Sequence, residues 1–232
     1  MTHPAQLGTN ALPAPWEPGR SETHLWAVRV NAYAPEALAA EGLLDPDERA
    51  RCQAFVRDAD RVRYRVAHVA LRLLLGAYLD QNPAAVRFVR EPCPGCTEPH
   101  GRPAVPGAPL HFSLSHAGDA VLLAFAGAPV GVDVEEVPAA DAAAEVAAML
   151  HPAERAELAA LPRPEFRAAV GRCWSRKEAY LKGVGIGLGE LPSVTYVGTG
   201  RAPGAVPEWT VTDVACPPGY AAACAVLTGE AT

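Results

Sequence analysis

The sequence predicts a mixed α/β (α+β) protein: two similar α/β halves in one chain, related by a pseudo-twofold axis, with an active site in the cleft between them. Three observations carry this expectation. Strand-like and helix-like stretches alternate along the chain. A helix-start signal recurs, LDPDERARCQ at 44–53 and LHPAERAELA at 150–159, with Leu, Pro, Glu, Arg and Ala in register. Pro129 separates the copies, so the expected parts are a loosely attached lead over 1–22, an N-terminal half over 23–130 and a C-terminal half over 131–232.

Taken in order, residues 1–22 are rich in Pro and polar residues, which argues for a disordered or loosely attached segment. LWAVRVN at 25–31 alternates apolar and polar residues as a strand does. Asp45 as N-cap and Pro46 at the first helical position open a helix, and an amphipathic helix follows over 58–79. LHFSLSHAG at 110–118 reads as a strand entering a turn, and AVLLAFAG at 120–127, apolar throughout, reads as a buried strand.

Composition excludes several functions. Half of the 232 residues are hydrophobic, ample for a packed core. The net charge of −6, from 20 Lys plus Arg against 26 Asp plus Glu, argues against nucleic-acid binding, so an anionic ligand must meet a local basic patch. No membrane-spanning run and no signal-peptide pattern occur, and the six cysteines are too sparse for a disulfide scaffold. The expected compartment is the cytoplasm, with the thiols reduced. CPGCTEPH at 93–100 offers zinc Cys93, Cys96 and His100 but no evident fourth ligand, so a turn with packed or free thiols is expected there.

The chemistry concentrates in two segments. In PVGVDVEEV at 129–137, Asp133 and Glu135 share one strand face and Val132 and Val134 the other. Two carboxylates side by side repel unless a cation lies between them, and Mg²⁺ commonly takes one or two carboxylates with phosphates and waters. In the 174–182 stretch, Trp174, Glu178 and Lys182 form one helical stripe. Solubility alone could account for Arg176, Lys177, Glu178 and Lys182 on an exposed helix; a third carboxylate for the strand pair is the chemical reading.

GVDVE at 131–135 followed by WSRKEAYLK at 174–182 resembles the paired signature of the 4'-phosphopantetheinyl transferases, of the surfactin-synthetase-activating type. The likeness extends from about Leu25 to about Leu227. It implies that Asp133, Glu135 and Glu178 bind Mg²⁺, with Mn²⁺ as a substitute, and that Lys177 and Lys182 contact the pyrophosphate of coenzyme A. It further implies catalysis by Glu178 as general base, directly or through a water, and by Lys182 on the leaving group. Ser115 and His116 match a Ser-His pair at the coenzyme A phosphates, Arg102 a basic residue at the nucleotide, and Arg51 and Arg63 cations at the 3'-phosphate. Glu48 is a departure, because many relatives have a cation there.

The implied partners are apo carrier proteins or carrier domains of peptide synthetases, polyketide synthases or fatty acid synthase, met by a monomer, with no nucleic acid and no membrane. Arg57, Arg61, Arg65 and Arg72 are candidates to dock such acidic partners. The alternative from another class is a non-catalytic module that binds carrier proteins or nucleotides; retention of all three carboxylates and both lysines disfavours it.

Overall fold

The computed structural model describes residues 1–186 and 192–229. The fold is mixed α/β. After β1 (Ala5–Gln6), the first set of elements is β2 (His24–Arg29), α1 (Val30–Ala39), α2 (Pro46–Ala54), α3 (Asp58–Tyr78), the short pair β3 (Val89–Arg90) and β4 (Pro103–Ala104), β5 (His111–Ala117) and β6 (Ala120–Ala126). The second set is β7 (Val130–Glu136), α4 (Ala140–Met149), α5 (Pro152–Ala159), α6 (Arg163–Val184), β8 (Trp209–Asp213) and β9 (Tyr220–Leu227).

The two main sheets have the orders β1-β2-β6-β5 and β7-β9-β8. In each set the first strand pairs antiparallel with the last, and the last pairs antiparallel with the one before it. The same topology therefore occurs twice, and the strands change sheet between β6 and β7.

The sequence repeat has a physical role. Asp45 caps α2 by accepting from the Glu48 amide at 2.9 Å, and Glu48 accepts from the Asp45 amide at 3.0 Å. At α5, His151 accepts from the Ala153 amide at 3.2 Å and Glu154 from the His151 amide at 3.0 Å. Such reciprocal bonds satisfy amides that a helix start leaves unpaired. Each glutamate then reaches a buried cation of the long helix behind it: Glu48 binds Arg72 Nε at 2.6 Å, and Glu154 binds Lys177 Nζ at 2.7 Å.

The layers run helix, sheet, sheet, helix. Along β6, Val121, Leu123 and Phe125 pack toward α3, while Ala120, Leu122, Ala124 and Ala126 pack against Val130, Val132 and Val134 of β7. Along β9, Ala223 and Ala225 face the α6 side and Ala222 and Cys224 the other sheet. Both faces of β6 are covered, which is why its sequence is apolar throughout instead of alternating. Gly131 and Gly183 face each other where β7 meets α6. A Cβ on Gly131 would collide with the Ala179 carbonyl and the Gly183 amide, and one on Gly183 would lie 2.5 Å from the Trp209 ring.

The lead differs from expectation. Over 1–22 the chain is attached at several points: β1 pairs in parallel with β2, and Leu7 and Trp16 are buried in the first core. The Thr2 amide also donates to the Asp213 carbonyl at 3.0 Å. Pro-rich composition hid these anchors, because two buried apolar side chains and a few backbone bonds suffice to hold a segment without its own core.

Candidate active site

Strand β7 and helix α6 bring the acidic residues together at the junction of the two sheets. Asp133 is fully buried; its Oδ1 accepts from Lys182 Nζ at 2.6 Å and from Ser115 Oγ at 2.9 Å. Lys182 Nζ also donates to Ser115 Oγ at 3.0 Å. Asp133 Oδ2 is buried with no hydrogen-bond partner among the described residues. Burial, then the charge of Asp133, pushes the Glu135 carboxyl up to about 7, against the pull of Lys182. Glu178 is raised by burial and by Asp133, with Lys182 again opposing.

Three carboxylates share one ammonium, so the ionised cluster retains two negative charges and an unpaired buried oxygen. That donor set fits a hard divalent cation, which takes oxygen ligands and balances such charge. Lys182 occupies the place of a counterion to Asp133. Among the described residues, Cys93, Cys96 and His100 bring three such ligand atoms within 4.8 Å of one another, and the carboxylates of this cluster are not gathered so closely.

Beside the cluster lies a cavity of about 760 Å³, lined by Arg51 from α2, Tyr64 and His68 from α3, Arg102 from the β3–β4 loop, His116 from β5 and Lys182 from α6. A second hollow of about 420 Å³ is lined by Arg63, Glu135 and, again, His116. The His116 imidazole is driven down to about 4, first by burial and further by the charges of Arg63, His68 and Lys182. Its Nδ1 and the Nε of Arg63 are buried without partners among the described residues. Arg102 is anchored on both sides: it pairs with Glu91 at 2.6 Å and donates to the Gly183 carbonyl at 2.6 Å.

Several expectations need correction. Lys177 is 1% exposed and donates to Glu154 and to the Thr195 carbonyl, so it is an internal cation of the second half and not a phosphate contact. One residue along a helix turns the side chain by about 100°, which carries Lys177 away from the face that holds Glu178 and Lys182. Trp174 likewise packs against the core of the second half. Arg72 has no exposed surface and pairs with Glu48 and Asp45, so it cannot meet a partner protein. Glu48 is therefore a buried structural carboxylate: despite burial, its bonds to His68, the Asp45 amide and Arg72 hold it below the usual range. The glycine run of 183–188 leaves the described residues at 187.

Residues that the sequence reading missed are the aromatic walls. The Tyr64 and His68 rings stack with centroids 3.9 Å apart, and Phe55, Phe88 and Phe112 also line the large cavity. Their i,i+4 spacing on α3 was the one available signal for the first pair.

An acidic cluster with its own lysine, next to an aromatic-walled cavity rimmed by arginine, suits an anionic ligand that carries a flat ring system. The family comparison agrees with that class: residues 129–211 match the model of the 4'-phosphopantetheinyl transferase superfamily. The chain is 28% identical over 202 residues to the 4'-phosphopantetheinyl transferase HetI of Nostoc sp. (strain PCC 7120), spanning 83% of this chain and 82% of the relative. It is 28% identical over 147 residues to 4'-phosphopantetheinyl transferase Sfp of Bacillus subtilis (strain 168), 62% of each chain. It is 30% identical over 168 residues to 4'-phosphopantetheinyl transferase ffp of Bacillus subtilis, 70% of each chain. The chain belongs to the 4'-phosphopantetheinyl transferase superfamily.

Proposed function

We propose that the chain transfers the 4'-phosphopantetheine group of coenzyme A to a serine hydroxyl of an apo carrier protein, giving holo carrier protein and adenosine 3',5'-bisphosphate. The observation that carries this reading is the Asp133–Lys182–Ser115 cluster, flanked by Glu135 and Glu178 and placed beside the large cavity, in a chain of this superfamily.

Coenzyme A lies with its nucleotide in the aromatic-walled cavity and its pyrophosphate toward Lys182 and His116. Arg51 and Arg63 supply cationic groups for the 3'-phosphate. Asp133, Glu135 and Glu178 would hold Mg²⁺, or Mn²⁺ in its place, whose chemistry there is to neutralise charge on the pyrophosphate oxygens. Glu178 accepts the proton of the carrier serine, a role favoured by a carboxyl whose proton affinity is raised by burial. The serine oxygen forms its new bond to the β-phosphorus as the bond from that phosphorus to the bridging oxygen breaks. Lys182 Nζ meets the negative charge that leaves with the nucleotide. Ser115 holds Lys182 and Asp133 in place.

The finer partners are carrier proteins or domains of peptide synthetases, polyketide synthases or fatty acid synthase, and we take the working form as a monomer in the cytoplasm. Incubation with coenzyme A, Mg²⁺ and candidate apo carriers, read by intact mass, tests the reaction: a phosphopantetheine gain is expected and excess EDTA should suppress it. No gain on any carrier, with coenzyme A still bound, would favour the binding-module alternative.

A further inference from the structure

The loop joining β3 to β4 has almost no core of its own. Of residues 91–100 only Cys93 is buried. Its backbone is nevertheless closely tied. The Cys93 amide donates to the Glu98 carbonyl at 2.8 Å, and the amides of Thr97 and Cys96 return to the Cys93 carbonyl at 2.7 and 3.3 Å. Thr97 takes a left-handed conformation, φ 64°, which turns the chain back on itself. A loop folded this tightly without buried apolar surface needs another staple, as small motifs that cannot build a core generally do.

The side chains provide one. The sulfurs of Cys93 and Cys96 and a ring nitrogen of His100 lie within 4.8 Å of one another, and Cys96 Sγ stands 2.9 Å from His100 Nε2. Bonds of about 2.3 Å to sulfur and about 2.0 Å to nitrogen in a tetrahedron separate such ligands by roughly 3.5 to 3.8 Å, so Cys96 and His100, now in hydrogen-bond contact, must part by roughly 0.6 Å to share a metal. All six cysteines are unpaired, so these two thiols are not committed to a disulfide.

We infer that Cys93, Cys96 and His100 bind one zinc ion, with solvent at the fourth position, and that this site fixes the wall of the large cavity formed by His100 and Arg102. Binding releases the two thiol protons to solvent and leaves the metal's charge balanced by two thiolates. The link to the wall is short. The Gly101 amide donates to the Glu91 carbonyl at 2.9 Å, and a Cβ on Gly101 would lie 2.6 Å from that oxygen. Arg102, the next residue, spans from Glu91 to the Gly183 carbonyl at the end of α6. The metal site does not depend on the transfer reaction, since it can be assayed without coenzyme A or a carrier.

The test uses the untagged full chain, produced with zinc in the medium and purified without chelator. Elemental analysis should find one zinc per chain, and none in the Cys93→Ser, Cys96→Ser variant. After removal of zinc, Co²⁺ should give a thiolate charge-transfer band that the double variant lacks. His100→Ala, at an exposed position, keeps the fold and should weaken Zn²⁺ binding by about tenfold or more. Substoichiometric zinc with no cobalt band would overturn the inference. So would unchanged Zn²⁺ affinity in His100→Ala, or an intact mass two hydrogens light that a reductant restores, which would reveal a Cys93–Cys96 disulfide instead.

Discussion

The pair Lys177–Glu154 offers the sharpest separation of a structural lysine from a catalytic one. Glu154 is fully buried and accepts from Lys177 Nζ at 2.7 Å, the Val197 amide at 2.7 Å, the Gly198 amide at 3.2 Å and the His151 amide at 3.0 Å. Lys177→Met deletes the ammonium and leaves a buried carboxylate with three amide donors. Removing one partner of a buried pair costs about 3 to 5 kcal/mol. The three amides still stabilise the charge, so the expected loss lies near the lower end, about 3 kcal/mol. For a chain of this length each kcal/mol lowers Tm by about 2 to 4 °C, so a fall of about 6 to 12 °C is expected. The Glu154→Gln, Lys177→Met double variant removes the unpaired charge and should regain part of that loss. Thermal and urea unfolding measure the stabilities, and kcat/KM for coenzyme A on the folded fraction should stay near the parent value. An unchanged Tm with a raised KM for coenzyme A would refute the argument and return Lys177 to the pyrophosphate. A double variant as unstable as the single one would refute the charge accounting.

Glu178→Gln should leave coenzyme A bound yet lose on the order of 10² to 10⁴ in kcat if Glu178 is the base; near-normal kcat at saturating Mg²⁺ would limit Glu178 to ligation. His116, held neutral with its pKa at about 4 in the fold against 6.5 in the unfolded chain, contributes stability that is fully present above about pH 6.5 and lost as pH falls toward 4. His116→Gln should flatten that window, and an imidazole NMR titration near 6.5 would contradict the burial argument. Gly131→Ala drives a methyl into the backbone of α6, so a destabilisation of about 1 to 3 kcal/mol or more is expected, together with lower kcat as Asp133 and Lys182 are pushed apart; a parental Tm would show that the contact yields. Dephospho-coenzyme A should be the poorer substrate, and equal kcat/KM for the two nucleotides would remove Arg51 and Arg63 from the 3'-phosphate.

What the sequence made legible follows the period of each element. On β7 the two-residue period puts Asp133 and Glu135 on one side and Val132 and Val134 on the other, and a strand packed between layers admits no other assignment. On α6 the period gives faces but not which face is core. Cys173, Lys177 and Leu181 form a stripe as regular as that of Trp174, Glu178 and Lys182, and only packing against α5 and the second sheet shows that the former is buried. A lysine inside a core contradicts the usual preference, and its partner Glu154 lies 23 residues away. The aromatic cavity walls come from the residue after α2, from α3, from the residue before β3 and from β5, so no local pattern could have announced them.

Several arginines are already paired with carboxylates of the chain. Arg72 is consumed by Glu48 and Asp45, Arg176 by Asp213 at 2.7 Å and Arg102 by Glu91, each with backbone carbonyls completing its donors. Arg63 shares Asp60 with Arg57, so one carboxylate serves two guanidinium groups. Arg51 is exposed on the cavity rim and has no ion-pair partner among the described residues. The large cavity is lined by Arg51 and Arg90, neither with an ion-pair partner among the described residues, and also by the carboxylates of Asp45, Asp47 and Glu48; Arg63 borders the second hollow, which shares His116 with the large cavity. The buried glutamates of the repeat pair with Arg72 and Lys177, so those two cations are withheld from any ligand.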